Sequence, residues 1–147
     1  NTCIGHSADV ASGALTNATA IGYNAIVNAS NKVVIGNTSV TTIGGQVGWT
    51  TYSDLRIKDD VSDSGLGLEF IKALRPVQYR MKNGNGRLDY GFVAQEVEAA
   101  LNGIDSNMVT PGINDDDMYT IRSADIFAVL VKAVQELTRK VEELEAR

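Results

Sequence analysis

The chain has 147 residues, 18 of them acidic and 13 basic, for a formal net charge of −5, which suits one domain or two small ones. An acidic balance with no basic cluster longer than a dipeptide argues against nucleic acid, which is bound mostly by neutralising phosphates. No apolar run is long enough to span a bilayer, and the first residues are not patterned as a charged-then-apolar leader.

Charge divides the chain. Residues 1–52 carry only Asp9 and Lys32, whereas charged residues are frequent from Asp54 onward. The pattern is already under way at residue 1, and the chain is expected to be the carboxyl-terminal piece of something longer. Cys3 is the single cysteine; it excludes an intrachain disulfide and is expected to be buried as a small apolar side chain. His6, the only histidine, lies at the far end of the repetitive segment from Ser53, so no Ser-His-Asp triad is expected.

Ile-Gly recurs at Ile4-Gly5, Ile21-Gly22, Ile35-Gly36 and Ile43-Gly44. Such self-similarity points to short stacked strands, with Val and Ile facing in and Asn/Gly turns between them. A single strip of this kind buries too little apolar surface to stand alone, and three wound together would share a core. The alternation A-I-G-x-x-A, N-A-S-N and V-I-G-N over residues 3–37 resembles the head repeats of trimeric autotransporter adhesins and related phage fibre shafts. That likeness implies an intertwined, three-chain β-roll. Val40 to Trp49 is expected to add a strand pair around Gly44-Gly45, with Trp49 and Tyr52 packed into a core.

Apolar spacing at Leu66, Phe70, Ile71 and Leu74 predicts a helix stopped by Pro76. Val77, Tyr79 and Met81 alternate, Asn83-Gly84-Asn85-Gly86 supplies a turn, and Leu88, Tyr90 and Phe92 return, predicting a hairpin. Residues 94–101 read as a short helix, 105–117 as a polar loop, and 118–121 as a short strand. Within the loop, Asn114-Asp115-Asp116-Asp117 lacks the glycine and distal glutamate of a calcium loop and reads as a solvated acidic stretch. No metal and no cofactor is expected.

The last helix is expected over about 124–147, with Ser123 as its N-cap. Phe127, Val134 and Val141 share one heptad position, and Leu130, Leu137 and Leu144 another, the seam of a parallel coiled coil. Lys140 and Glu145 fall where charges pair between chains. The fold class is therefore α+β: an intertwined homotrimer of β-roll repeats (1–52) followed by a helix and hairpin module (53–147) that ends in a coiled coil.

Between the halves stands Ser53-Asp54-Leu55-Arg56-Ile57-Lys58. A serine and a lysine can cleave a peptide bond without histidine if burial keeps the lysine neutral. Residues five apart lie about 140° apart around a helix and on opposite faces of a strand, so a turn, a distorted helix start or a neighbouring chain must bring them together.

The motifs S-D-L-R-I-K (53–58), L-E-F-I-K-A-L-R-P-V-Q-Y-R (68–80), Y-G-F-V-A-Q-E-V (90–97) and L-V-K-A-V-Q-E-L (130–137) resemble the S74 peptidase family of intramolecular chaperones. Its members end phage tailspikes, endosialidases and bacterial surface fibres. The resemblance implies that this half drives trimerisation of an upstream fibre segment and then releases itself. It makes Ser53 the nucleophile, Lys58 the general base, and Asp54 and Arg56 supporting residues. Cleavage falls at Tyr52-Ser53 or Ser53-Asp54. The implied setting is a virion tail fibre, a tailspike or a bacterial surface. Two other readings are a permanently attached trimeric clamp and an adhesin whose loop at 105–117 meets a host ligand; the adhesin ranks last, because the loop offers no surface aromatics and only Met108 and Met118 are available.

Overall fold

The computed structural model describes residues 1–112 and 118–147; the acidic stretch at 114–117 lies outside the described residues. The chain divides into two compact units, residues 1–50 with 80–87 and residues 51–79 with 88–147.

In the first unit five short strands run β1 (Thr2–Ile4), β2 (Asp9–Val10), β3 (Thr19–Ile21), β4 (Ile26–Val27) and β5 (Val33–Ile35). They form two parallel ladders, β1-β3-β5 and β2-β4. Ile4 lies beside Ile21 and Ile21 beside Ile35, so each Ile-Gly corner stacks on the previous one. Gly22 N–H donates to the Ile4 carbonyl and Gly36 N–H to that of Ile21, both at 2.7 Å. At Gly5 φ is +131°, and a Cβ there would stand 2.6 Å from the Gly22 carbonyl oxygen. Backbone occupies that space, so only glycine fits. Opposite corners use asparagine in the left-handed region, with φ of 52° at Asn17 and 57° at Asn31. The two amides also bond to each other, Asn17 Nδ2 to Asn31 Oδ1 at 2.9 Å.

The interior of this unit is small: Ala18, Ala20, Ala25 and Val27 are buried. Ile4, Ile21 and Ile35 project to solvent instead, correcting the expectation that Ile faces in. Alternation along β3 decides it, because burying Ala20 turns Ile21 outward. Cys3 is also exposed rather than buried. It sits on β1, beside Ala20 of β3. Residues 40–49 form no strand. Gly44, Gly45 and Gly48 make ordering that tract costly, and Trp49 is 85% exposed.

The second unit holds a 3-10 turn (Leu55–Ile57), α1 (Leu68–Ala73), β6 (Val77–Tyr79), β7 (Asp89–Gly91), α2 (Ala94–Leu101), β8 (Val109–Thr110), β9 (Thr120–Ile121) and α3 (Asp125–Glu145). β6 pairs antiparallel with β7, and β8 with β9. Asn102 ends α2 at φ 51°, the left-handed cap that asparagine tolerates. The core gathers Phe70 of α1, Val97 and Leu101 of α2, Met108, Val109 of β8, and Ile126 and Val129 of α3. Met108 is thus a core residue, not a surface contact of a polar loop.

Helix α3 has two apolar faces. Ile126, Val129 and Ala133 are buried within the unit, while Phe127, Leu130, Val134, Leu137, Val141 and Leu144 are all exposed. The helix starts one residue later than expected. Its N-cap is Ala124, without a side-chain cap bond, and the Ser123 carbonyl accepts from Ile126 N–H. A longer-range cap serves α1. Glu136 of α3 accepts from Leu68 N–H at 2.8 Å, and Gly67 leaves the room, since a Cβ there would meet the Glu136 carboxylate at 2.6 Å.

Candidate functional site

The sequence leaves open how Ser53 and Lys58 meet, and the 3-10 turn answers it. Asp54, extended at φ −69° and ψ 140°, is the N-cap, and its Oδ1 accepts from Arg56 N–H at 2.9 Å. Ile57 N–H donates to the Asp54 carbonyl and Lys58 N–H to that of Leu55, each at 3.2 Å. With about three residues per turn, Lys58 comes back toward the start of the hexad and leaves extended, at φ −120° and ψ 132°. Its Nζ donates to Ser53 Oγ at 2.7 Å, within the same chain.

Asp54 and Arg56 pair face to face. Arg56 Nε donates to Asp54 Oδ1 at 2.9 Å and its terminal nitrogen to Oδ2 at 2.7 Å. The guanidinium and the backbone N–H of Arg56 hold the Asp54 carboxyl below its ordinary range. The Asp54 carboxylate in turn raises Arg56 further.

No residue of the turn is buried, and Ser53 and Lys58 are both exposed. Tyr52, expected in a core, is 94% exposed, and Leu55, Ile57 and Val61 are exposed with it. The burial expected of Lys58 is therefore absent in the single chain, because the whole turn stands at the surface. A groove of about 700 Å³ runs along α3, lined by Asp63, Ser64, Val131 and Gln135 among others, and it includes neither Ser53 nor Lys58.

Chemically, a lysine ammonium can only donate, having a proton and no lone pair to accept one. To act as a base it must lose that proton, which requires desolvation or a shift in nearby charge. His6 makes other contacts: its Nδ1 lies 3.0 Å from Ser7 Oγ and its ring stacks on Tyr23. Among the described residues no cluster of His, Cys, Asp and Glu could hold a metal, and no helix is long and apolar enough to cross a membrane.

All four polar residues of the turn were legible from the hexad. Glu136, which caps α1, was not, because 68 residues separate it from Leu68 and no local pattern records such a contact.

A family model described as chaperone of endosialidase, Peptidase_S74, matches residues 53–105. That segment, with the Ser53–Lys58 turn at its first residues, α1, the hairpin and α2, is similar to this family. No curated protein matches the chain. The match stops short of α3, and the stacked strands of residues 1–35 lie outside it.

Proposed function

We propose that residues 53–147 are an intramolecular chaperone that assembles three copies of a fibre and then cuts itself free beside Ser53. The observation that carries the reading is the 2.7 Å hydrogen bond between Lys58 Nζ and Ser53 Oγ, inside a segment that matches a chaperone and peptidase family. Lys58 in its neutral form takes the hydroxyl proton as Oγ attacks the Tyr52 carbonyl carbon. The C–N bond of Tyr52-Ser53 breaks, Lys58 returns the proton to the departing Ser53 amine, and an ester joins Tyr52 to Oγ. Water hydrolyses that ester, leaving a Tyr52 carboxylate and a free Ser53 hydroxyl. Attack on the Ser53-Asp54 bond is the alternative register.

Assembly supplies what the single chain lacks. Phe127, Leu130, Val134, Leu137, Val141 and Leu144 form an exposed heptad stripe, suited to a parallel three-stranded coiled coil. The Ile4, Ile21 and Ile35 row offers the β-roll strips of residues 1–52 a second apolar surface. Closing three chains would cover Lys58 and favour its neutral form. Cutting would then leave an interlocked fibre held by a high unfolding barrier, in a tail fibre, tailspike or cell-surface filament. The exposure of Lys58 also supports a second reading, a retained trimeric clamp that never cuts.

Denatured mass of the purified chain beside Ser53→Ala and Lys58→Ala tests the proposal. The parent should split, and both variants should stay whole. A parent that forms trimers and remains whole would leave the clamp reading in its place.

A further inference from the structure

We infer that Arg56 is a positioning residue for Lys58. By occupying both oxygens of Asp54, it neutralises the carboxylate next to the nucleophile and lets Lys58 give up its proton. The inference rests on the self-cleavage reading and assigns a task to a residue that touches neither Ser53 nor the scissile bond.

The turn creates a conflict that this pairing resolves. It needs an acceptor at residue 54, because Asp54 Oδ1 caps it through Arg56 N–H. An aspartate supplies that acceptor but places a negative charge on the residue adjoining Ser53, whose Oγ holds Lys58 Nζ at 2.7 Å. A carboxylate near an ammonium favours its charged form, which is the form useless as a base. Arg56 removes the conflict without removing the acceptor. Its planar fork meets Oδ1 and Oδ2 together, a geometry that a lysine ammonium does not reproduce.

Stability alone is a weak account of the pair, since side-chain exposure is 87% for Arg56 and 47% for Asp54 and such surface pairs contribute little. Its consequence is local. The cap remains, and the field of the carboxylate at Lys58 is cancelled. Asp59 and Asp60, the other carboxylates beside Lys58 in the chain, are unchanged in every variant below.

The test uses the full chain in a Ser53→Ala background, which stays whole, with the Lys58 pKa read by NMR titration of its side-chain carbon. Arg56→Ala should raise that pKa by about half a unit, the size of an unscreened carboxylate acting through solvent. Adding Asp54→Asn should bring it back, because the amide oxygen still accepts from the backbone N–H of residue 56 but carries no charge. With Ser53 restored, the cleavage-against-pH curve should move to higher pH by the same amount in Arg56→Ala, and return in the double variant.

A Lys58 pKa that does not move in Arg56→Ala overturns the inference. So does a shift that persists in the double variant, since it would come from a disturbed turn rather than from charge. If the parent is cut at no pH, the self-cleavage reading fails by itself, and the titrations still decide whether Arg56 screens Lys58 from Asp54.

Discussion

The two units are built on opposite principles. In the first, neighbours along the ladders are 14 or 17 residues apart, backbone stacks on backbone, and the buried residues are three alanines and Val27. In the second, Phe70, Val97, Leu101, Met108, Val109, Ile126 and Val129 converge from α1, α2, β8 with the residue before it, and α3. The stacked coils are specified by positions where a side chain must be small or absent. The carboxyl-terminal unit is specified by positions where a large one must be present. Each nevertheless leaves an apolar row in solvent, Ile4-Ile21-Ile35 in one and the α3 seam in the other.

The largest effect should come from removing volume where volume specifies the fold. Phe70→Ala opens the centre of the second unit, where Phe70 is 6% exposed, and should cost about 3–5 kcal/mol by urea denaturation. Amide exchange should quicken across α1, α2 and the first turns of α3, while the β1-β3-β5 ladder stays protected. Equal loss of protection in both units would mean that they unfold as one, and the contrast between them would not survive.

Two glycine substitutions sharpen the contrast from the other side. Gly5→Ala and Gly67→Ala each place a Cβ 2.6 Å from an oxygen, yet the consequences should differ. At Gly5 the oxygen belongs to the Gly22 backbone and φ is positive, so the first coil must shift, at about 2 kcal/mol. At Gly67 the obstacle is the end of the Glu136 side chain, which can swing away. The loss is then the bond to Leu68 N–H, about 1 kcal/mol. Thermal denaturation of the two variants compares them, and equal losses would show that neighbour flexibility is not what decides.

What could be read in advance follows the same division. The heptad spacing of Phe127 to Leu144, the Asn83–Gly86 turn and the Ser53–Lys58 hexad are local patterns, and the structure has α3, the β6-β7 pair and the 3-10 turn at those places. The facing of the isoleucines was misread because alternation in three-residue strands fixes two faces without saying which is inside. Ala20 and Ala25, not Ile21, fit the narrow interior. Residue type alone puts Trp49 and Tyr52 in a core, and both lie open. The Ser53 and Lys58 pairing stands in the hexad itself, but their approach to 2.7 Å depends on Asp54 capping a turn of three residues, which residue spacing does not reveal.

The smallest effect concerns charge, which is concentrated beyond residue 53. Arg75 and Glu96 form a bidentate pair in the second unit, with Arg75 Nε donating to Glu96 Oε2 at 3.0 Å. The hydrogen bonds from Arg75 hold the Glu96 carboxyl below its ordinary value of 4.5. Asp54 is lowered in the same sense by Arg56. A carboxyl depressed in the folded chain binds fewer protons than in the unfolded one, so its contribution is complete above the unfolded value. It is lost as pH falls from there through the folded value. Acidification below about pH 4.5 should therefore weaken the second unit, and Arg75→Met should flatten that slope by losing at neutral pH the same increment that acid removes from the parent, a small one because the pair is exposed. Urea midpoints of parent and variant across the acid range decide the matter. An unchanged slope would mean that the Arg75 pair contributes nothing to the acid sensitivity of this unit.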